Sequence, residues 1–336
     1  MLQLKNTTQF NAKILLMPDP DGIDSLYTII KATFVLDREP TPADEQIPIA
    51  AEDQYLDEPG QSSLKVPSDI GLIKPGTDIL IMGNAYAPAG RPAAETDVSL
   101  AAGPVAKTIR IFGDRYWTKV LGAIVPSPPH PFERMSLIYE RAYGGWDHSH
   151  PDPAKHRFEP RNPVGTGFLD KYTNFVEGIW LPNLEDPEHP IRNWQDRPDP
   201  VCFGAICPSW EPRKSYAGTY DEEWRKHRMP YLPKDFDPLF FQLAPPDQVV
   251  PDYLKGGEEI LIMGATTSGQ LQFCLPTHRI QVTYRLDNKD HVRLSNLDTV
   301  IIEPDESRLI LLWRTVYQCD KKALRINEVQ VAEVSA

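Results

Sequence analysis

No part of the 336-residue chain comes near the roughly 18 consecutive apolar residues that a membrane-spanning helix needs. The opening stretch MLQLKNTTQFNAKILLMPDPDG also lacks the long apolar segment and small-residue cleavage site of a secretory signal. Four cysteines, Cys202, Cys207, Cys274 and Cys319, are too few and too unevenly spaced for a disulfide framework, and none forms the Cys-x-x-Cys pair of zinc or thiol-exchange sites. Reduced thiols and a cytoplasmic location are the expectations.

Positive charge is scarce as well: 35 Lys and Arg stand against 47 Asp and Glu, for a net charge of −12. Nucleic acids and anionic membranes are held by clustered Lys and Arg, so neither is an expected partner, and a basic protein suits the chain better. Acidity also serves solubility without any partner. Catalytic signatures are missing too. There is no Gly-x-Ser-x-Gly, no Cys set beside a His and no nucleotide motif. The stretch NPVGTGF (162–168) has the glycines of a phosphate loop but lacks its Lys and Ser/Thr pair and the preceding strand. Gly165 and Gly167 read instead as backbone freedom at a tight bend.

Proline is what the sequence has in excess. Its 34 prolines are dispersed through the chain, and each one inside a helix costs about 3 kcal/mol through a lost N–H and a clash with the preceding turn. Short strands and ordered loops follow. With 41% hydrophobic and 24% charged residues the chain is too apolar for intrinsic disorder.

The strongest internal pattern is a short repeat. GTDILIMGNA (76–85) and GEEILIMGAT (257–266) share Ile-Leu-Ile-Met-Gly at an offset of 181 residues. Each copy leads into alternating segments, VAKTIRIFGDRYW (105–117) and THRIQVTYRLDNKDHVRL (277–294), then FERMSLIYERAY (132–143) and ESRLILLWRTVY (306–317). Apolar residues at every second position, as in Ile280-Gln281-Val282-Thr283-Tyr284, are the mark of a half-buried strand. PDPDGID, LDNKDHV and IEPDESR supply turns, the first of them closing a hairpin between AKILLM and LYTIIKATFVL. The expected fold is mainly β: two related antiparallel, sandwich-like modules, 1–143 and 251–336, around a Pro- and aromatic-rich insertion at 144–250. Within the insertion, Thr219-Tyr220-Asp221-Glu222 has the pattern of a capping box, and Arg225 to Arg228 suit a helix C-terminus, so a short helix is expected near 221–228. The tail after Cys319 reads equally as a last strand or a frayed end.

His148, His150 and His156, with Asp147 and Asp152, crowd one Pro-rich loop but show no metal-site spacing, so no metal or other cofactor is expected. Glu133, Glu140, Asp221 and Asp247 could supply a hydrolytic acid and base. Glu140 and Arg141 are better read as bonding loop backbone or each other. Trp180, Trp194, Trp210 and Trp224 serve either an interface or ordinary packing.

The stretches GNAYAPAG (83–90), GDRYW (113–117), FERMSLIYERAYGG (132–145), NPVGTGF (162–168), LPNLEDP (181–187), SWEPRKSYAGTYDEEW (209–224), LPKDFDPLFFQLAPPDQ (232–248) and LKGGEEILIMG (254–264) together resemble a bacterial family described as a domain of unknown function. The resemblance runs from about residue 10 to residue 320. Members of that family are associated with type VI secretion, where they resemble effector adaptors or chaperones. The resemblance implies a non-enzymatic protein that binds a secreted effector toxin and helps load it onto the secretion spike, through the trimeric spike protein or its PAAR tip. It brings no catalytic residues. It marks Glu140, Arg141, Gly144, Gly145, Asn162, Gly165, Trp210, Gly218, Thr219, Tyr220, Pro246, Asp247 and Gln248 as architecture or binding surface. The alternative reading is a β-rich hydrolase of carbohydrate or peptidoglycan, and a third makes the chain a component of the spike tip.

Overall fold

Asn11–Pro18 and Asp24–Val35 pair antiparallel, from Asn11 opposite Lys31 to Pro18 opposite Asp24, as the first hairpin. Asp19 closes its turn by accepting the N–H groups of Asp21 and Ile23 at 3.0 and 2.9 Å, the local bond that makes Asp a turn residue. A computed structural model describes residues 2–171, 173 and 175–335. In it the fold is mainly β, with three larger sheets and several two-stranded ribbons.

The largest sheet runs Val249–Pro251, Gly76–Ile81, Asn296–Glu303, Arg308–Gln318, Asp24–Val35 and Asn11–Pro18, with Thr41–Pro42 added beside Asp24–Val35. Its pairings are antiparallel except for Gly76–Ile81 against Asn296–Glu303. Residues 25–34 and 76–81 are buried without alternation, as strands covered on both faces must be. The charges this draws inward are paired: Lys31 with Asp69 at 2.8 Å, Lys74 with Asp78 at 2.7 Å, Arg314 with Asp298 at 2.8 Å. An unpaired charge at such depth would be costly.

A second sheet orders Leu184–Glu185, Val105–Phe112, Glu95–Ala102, Glu259–Met263 and Gln270–Cys274, and a third Gln3–Asn6, Ile326–Val334, Arg279–Leu286 and Lys289–Leu294. The tail is therefore a strand, bonded in parallel to the first strand of the chain and antiparallel to Arg279–Leu286. One apolar core takes Ile29, Ile79 and Val300 from the first sheet, Val98, Ile109 and Ile260 from the second, Val282 and Val329 from the third.

The segments 1–143 and 251–336 supply strands to the same sheets, so the boundaries between them divide the sequence and not the sheets. The two copies of Ile-Leu-Ile-Met-Gly also have different neighbours. Gly76–Ile81 lies between Val249–Pro251 and Asn296–Glu303, whereas Glu259–Met263 lies between Glu95–Ala102 and Gln270–Cys274. A short apolar run specifies a strand but not its partners, which register and the wider core select.

The insertion is held by the same core. Cys202, Phe203, Cys207, Trp210, Leu243 and Ala244 all pack into it, while Trp117, Tyr143, Leu169, Val176, Leu181 and Ile191 form a smaller cluster. Two short helices, Arg213–Tyr216 and Glu222–His227, lie within it. The cap of the second is Asp221, which accepts the Trp224 N–H at 2.8 Å. Thr219 is not the cap: its N–H and hydroxyl donate to Asp235 at 3.0 and 2.7 Å. Among the described residues no helix is long and apolar enough to cross a membrane.

Candidate functional site

The stretch 139–168 folds back on itself through Asn162. The Asn162 side-chain amide donates to the carbonyls of Tyr139 and Tyr143 at 2.8 and 2.9 Å, and the Asn162 backbone carbonyl accepts the Gly145 N–H at 2.8 Å. Tyr143–Gly144 then pairs in parallel with Thr166–Gly167. A Cβ on Gly144 would stand 2.2 Å from the Asn162 carbonyl oxygen, and one on Gly145 2.2 Å from that of Gly165, where φ is also +92°. These residues are architecture: the chains approach too closely for any side chain.

Glu140 and Arg141 do not bond each other. The Glu140 carboxylate accepts the N–H and hydroxyl of Ser63 at 2.7 and 2.6 Å, while Arg141 donates to Asp114 at 3.2 Å and Asn183 at 3.1 Å. Each tethers the turn Tyr139–Arg141 to a different loop. The three histidines engage their own loop: His148 and His156 share a hydrogen bond at 3.0 Å, and His156 meets the His150 carbonyl at 3.0 Å. Among the described residues no group of three or more His, Cys, Asp or Glu could hold a metal ion.

The turn Pro246–Gln248 arrives from about a hundred residues further on. Gln248 is fully buried; its amide donates to Ile79 and Phe203 carbonyls at 2.7 and 3.1 Å, and its oxygen accepts from Lys107 at 2.7 Å. Lys107 also donates to the Cys202 carbonyl at 2.9 Å and to Asp247 at 3.0 Å. Burial pushes this amine below its ordinary value, against the pull of Asp247. Trp210 is only 1% exposed and packs edge-on to the Tyr139 ring at 5.4 Å. It is core, not binding surface.

Lys107, Tyr139, Pro246 and Asp247 meet at a cleft of about 510 Å³. Arg161, Asp186, Asp199 and Glu211 bring further charge to it, and Val201, Ile206 and Pro212 bring apolar wall. Arg161 bonds Glu159 at 2.6 Å and also Asp199, and Asp186 meets His189 at 2.7 Å. Burial raises the Asp186 carboxyl, but the bonds from His189 and the Glu188 N–H outweigh this and leave it below the usual range. A second, mostly apolar cavity of about 340 Å³ shares Ile206, Pro212 and Pro246 with the cleft.

Gly218, Thr219 and Tyr220 line neither cavity. Gly218 has φ +80° against Pro233 and Asp235, and Tyr220 stands exposed, edge-on to Trp224 at 4.8 Å. Sequence reasoning passed over Lys107, Tyr139, Arg161, Asp186, Asp199 and Glu211 as site residues. Lys107 carried a usable signal. It sits in the buried phase of Val105–Phe112 with Val105, Ile109 and Ile111, and a lysine in that phase needs a dedicated set of acceptors.

No curated protein and no solved structure matches the chain. A family model, described as uncharacterized protein conserved in bacteria (DUF2169), matches residues 21–314, which take in every strand that shapes the cleft. With most of its length matched in this way, the chain belongs to that bacterial family.

Proposed function

We propose that this protein is a non-enzymatic cytoplasmic adaptor that binds a secreted effector toxin and helps load it onto a type VI secretion spike, through the spike protein or its PAAR tip. The observation that carries this reading is the cleft itself. Its walls come from Val105–Phe112, Tyr139–Arg141 and Pro246–Gln248, fixed by buried hydrogen bonds, and from the loop around Trp210, fixed by packing of that ring on Tyr139, so a ligand finds a preformed surface with little left to order. Acidic rim and net charge suit a basic protein.

The test is affinity purification of the tagged chain from a bacterium that carries it, with mass spectrometry, followed by reconstitution of any complex from purified parts. The expected result is a toxin-class protein or a spike component in stable complex. Recovery of neither would sink the adaptor reading. The convergence of Asp186, Asp199, Glu211 and Asp247 on one cleft favours a hydrolase as the second reading. Release of soluble fragments from peptidoglycan or polysaccharide, abolished by Glu211→Gln or Asp247→Asn, would put that reading first.

A further inference from the structure

This inference rests on the binding-protein reading and names the chemistry of the partner segment. Four carboxylates face the cleft against two cations, Lys107 and Arg161. Both cations are already engaged: Lys107 by Asp247, Gln248 and the Cys202 carbonyl, Arg161 by Glu159 and Asp199. Among the described residues, Asp186 and Glu211 meet only His189 and the Ser215 hydroxyl besides backbone N–H groups. An adjoining depression of about 420 Å³ shares Lys107, Asp186 and Asp247 and adds Glu188. The uncompensated charge at this mouth is negative.

A second observation is independent of charge. Tyr139 is 3% exposed and lines the cleft, yet its hydroxyl has no hydrogen-bond partner among the described residues. The hydroxyl is not one of the fully enclosed unpaired polar atoms, so water reaches it from the cleft, and a polar atom of an entering molecule can take that water's place. Beside it lies the apolar cavity, lined by Tyr216, Leu239 and Val249 as well as the shared Ile206, Pro212 and Pro246.

We propose that the double cleft binds a short segment of a partner protein that presents three groups together. An Arg or Lys side chain meets Asp186 and Glu211, a backbone amide or carbonyl bonds the Tyr139 hydroxyl, and an apolar side chain fills the neighbouring cavity.

The experiment is selection from a random dodecapeptide phage library on the purified full chain, then titration of the synthetic enriched peptides. The titrations use wild type, Tyr139→Phe and the double variant Asp186→Asn/Glu211→Gln. Enriched peptides are expected to combine a cationic with a large apolar residue. Tyr139→Phe is expected to leave the thermal midpoint unchanged, since the hydroxyl has no internal bond to lose, and to weaken binding about threefold to tenfold. The double variant is expected to weaken it about tenfold or more, with a loss of salt sensitivity. No enrichment, enriched peptides without a cation, or equal affinity for all three proteins would overturn the proposal. If a toxin or spike protein binds wild type and variants alike, the adaptor reading stands and the cleft inference falls. Peptide binding with no toxin or spike protein recovered in the purification leaves the reverse.

Discussion

Trp210 shows at the scale of one residue why a hot-spot residue type does not make an interface. Its indole is sealed against Tyr139 inside the main core, so Trp210→Ala is expected to destabilise the protein by about 3–5 kcal/mol through lost burial and a cavity. Chemical denaturation measures this directly, and a loss below about 1 kcal/mol would mean the site relaxes or the ring is not core. The thiols offer a second residue-scale check. Burial pushes Cys202 and Cys207 up to about 11 and about 12, and raises Cys319 as well, while Cys274 is exposed. Iodoacetamide on the native protein at pH 8 should label Cys274 first, because a raised pKa and burial both deplete the reactive thiolate. Comparable early labelling of Cys202 or Cys207, read by peptide mass spectrometry, would show that the core opens readily.

The informative element is the crossing of the loop after Trp146 with the chain near Asp170. Asp147 binds both: its carboxylate accepts the N–H of Ser149 at 2.8 Å and of Asp170 at 2.7 Å, and the Thr173 hydroxyl. Burial raises this carboxyl, but the bonds from Ser149, Thr173 and Asp170 prevail and leave it below its ordinary value. A depressed folded pKa gives stability that is full above the unfolded value, about 3.9, and lost as pH falls through the folded one. Wild type should therefore exceed Asp147→Asn in thermal midpoint at pH 7, and the gap should close between about pH 4 and pH 2. A gap independent of pH would assign the effect to shape rather than charge. Such contacts are hard to read in a sequence, since 144–250 has little periodicity to place one loop against another. The hairpin Asn11–Pro18 to Asp24–Val35 was legible for the opposite reason. Its apolar runs and its Asp-Pro-Asp-Gly turn act locally.

For the molecule as a whole, the decisive feature is that strands from the two ends of the chain share sheets. Gly76–Ile81 lies parallel to Asn296–Glu303, and Gln3–Asn6 parallel to Ile326–Val334. Residues 1–143 or 251–336 expressed alone would leave these edges unpaired and the common core open, so neither fragment is expected to give a cooperative unfolding transition or dispersed amide resonances. A folded, cooperative 251–336 would show that it is an independent module after all. Pairing over such separations also predicts slow folding.

The sequence by itself determined that the fold is mainly β, which short runs are strands, where several turns close, and that a helix caps near Asp221, because propensity, alternation and turn chemistry act over a few residues. It also marked Asn162, Gly144, Gly145 and Gln248 as positions of consequence without saying why. Only the tertiary structure decided that Asn162 ties two turns together, that Gln248 and Lys107 meet inside the core, and that Trp210 is buried. Likewise only the tertiary structure gave the two Ile-Leu-Ile-Met-Gly strands different neighbours and opened a cleft where residues from distant stretches of the chain converge. The physical reason is common to all of these. They are contacts between residues far apart in sequence, and the free energy that selects them comes from filling one shared core and satisfying every buried polar group at once, conditions that no local segment carries.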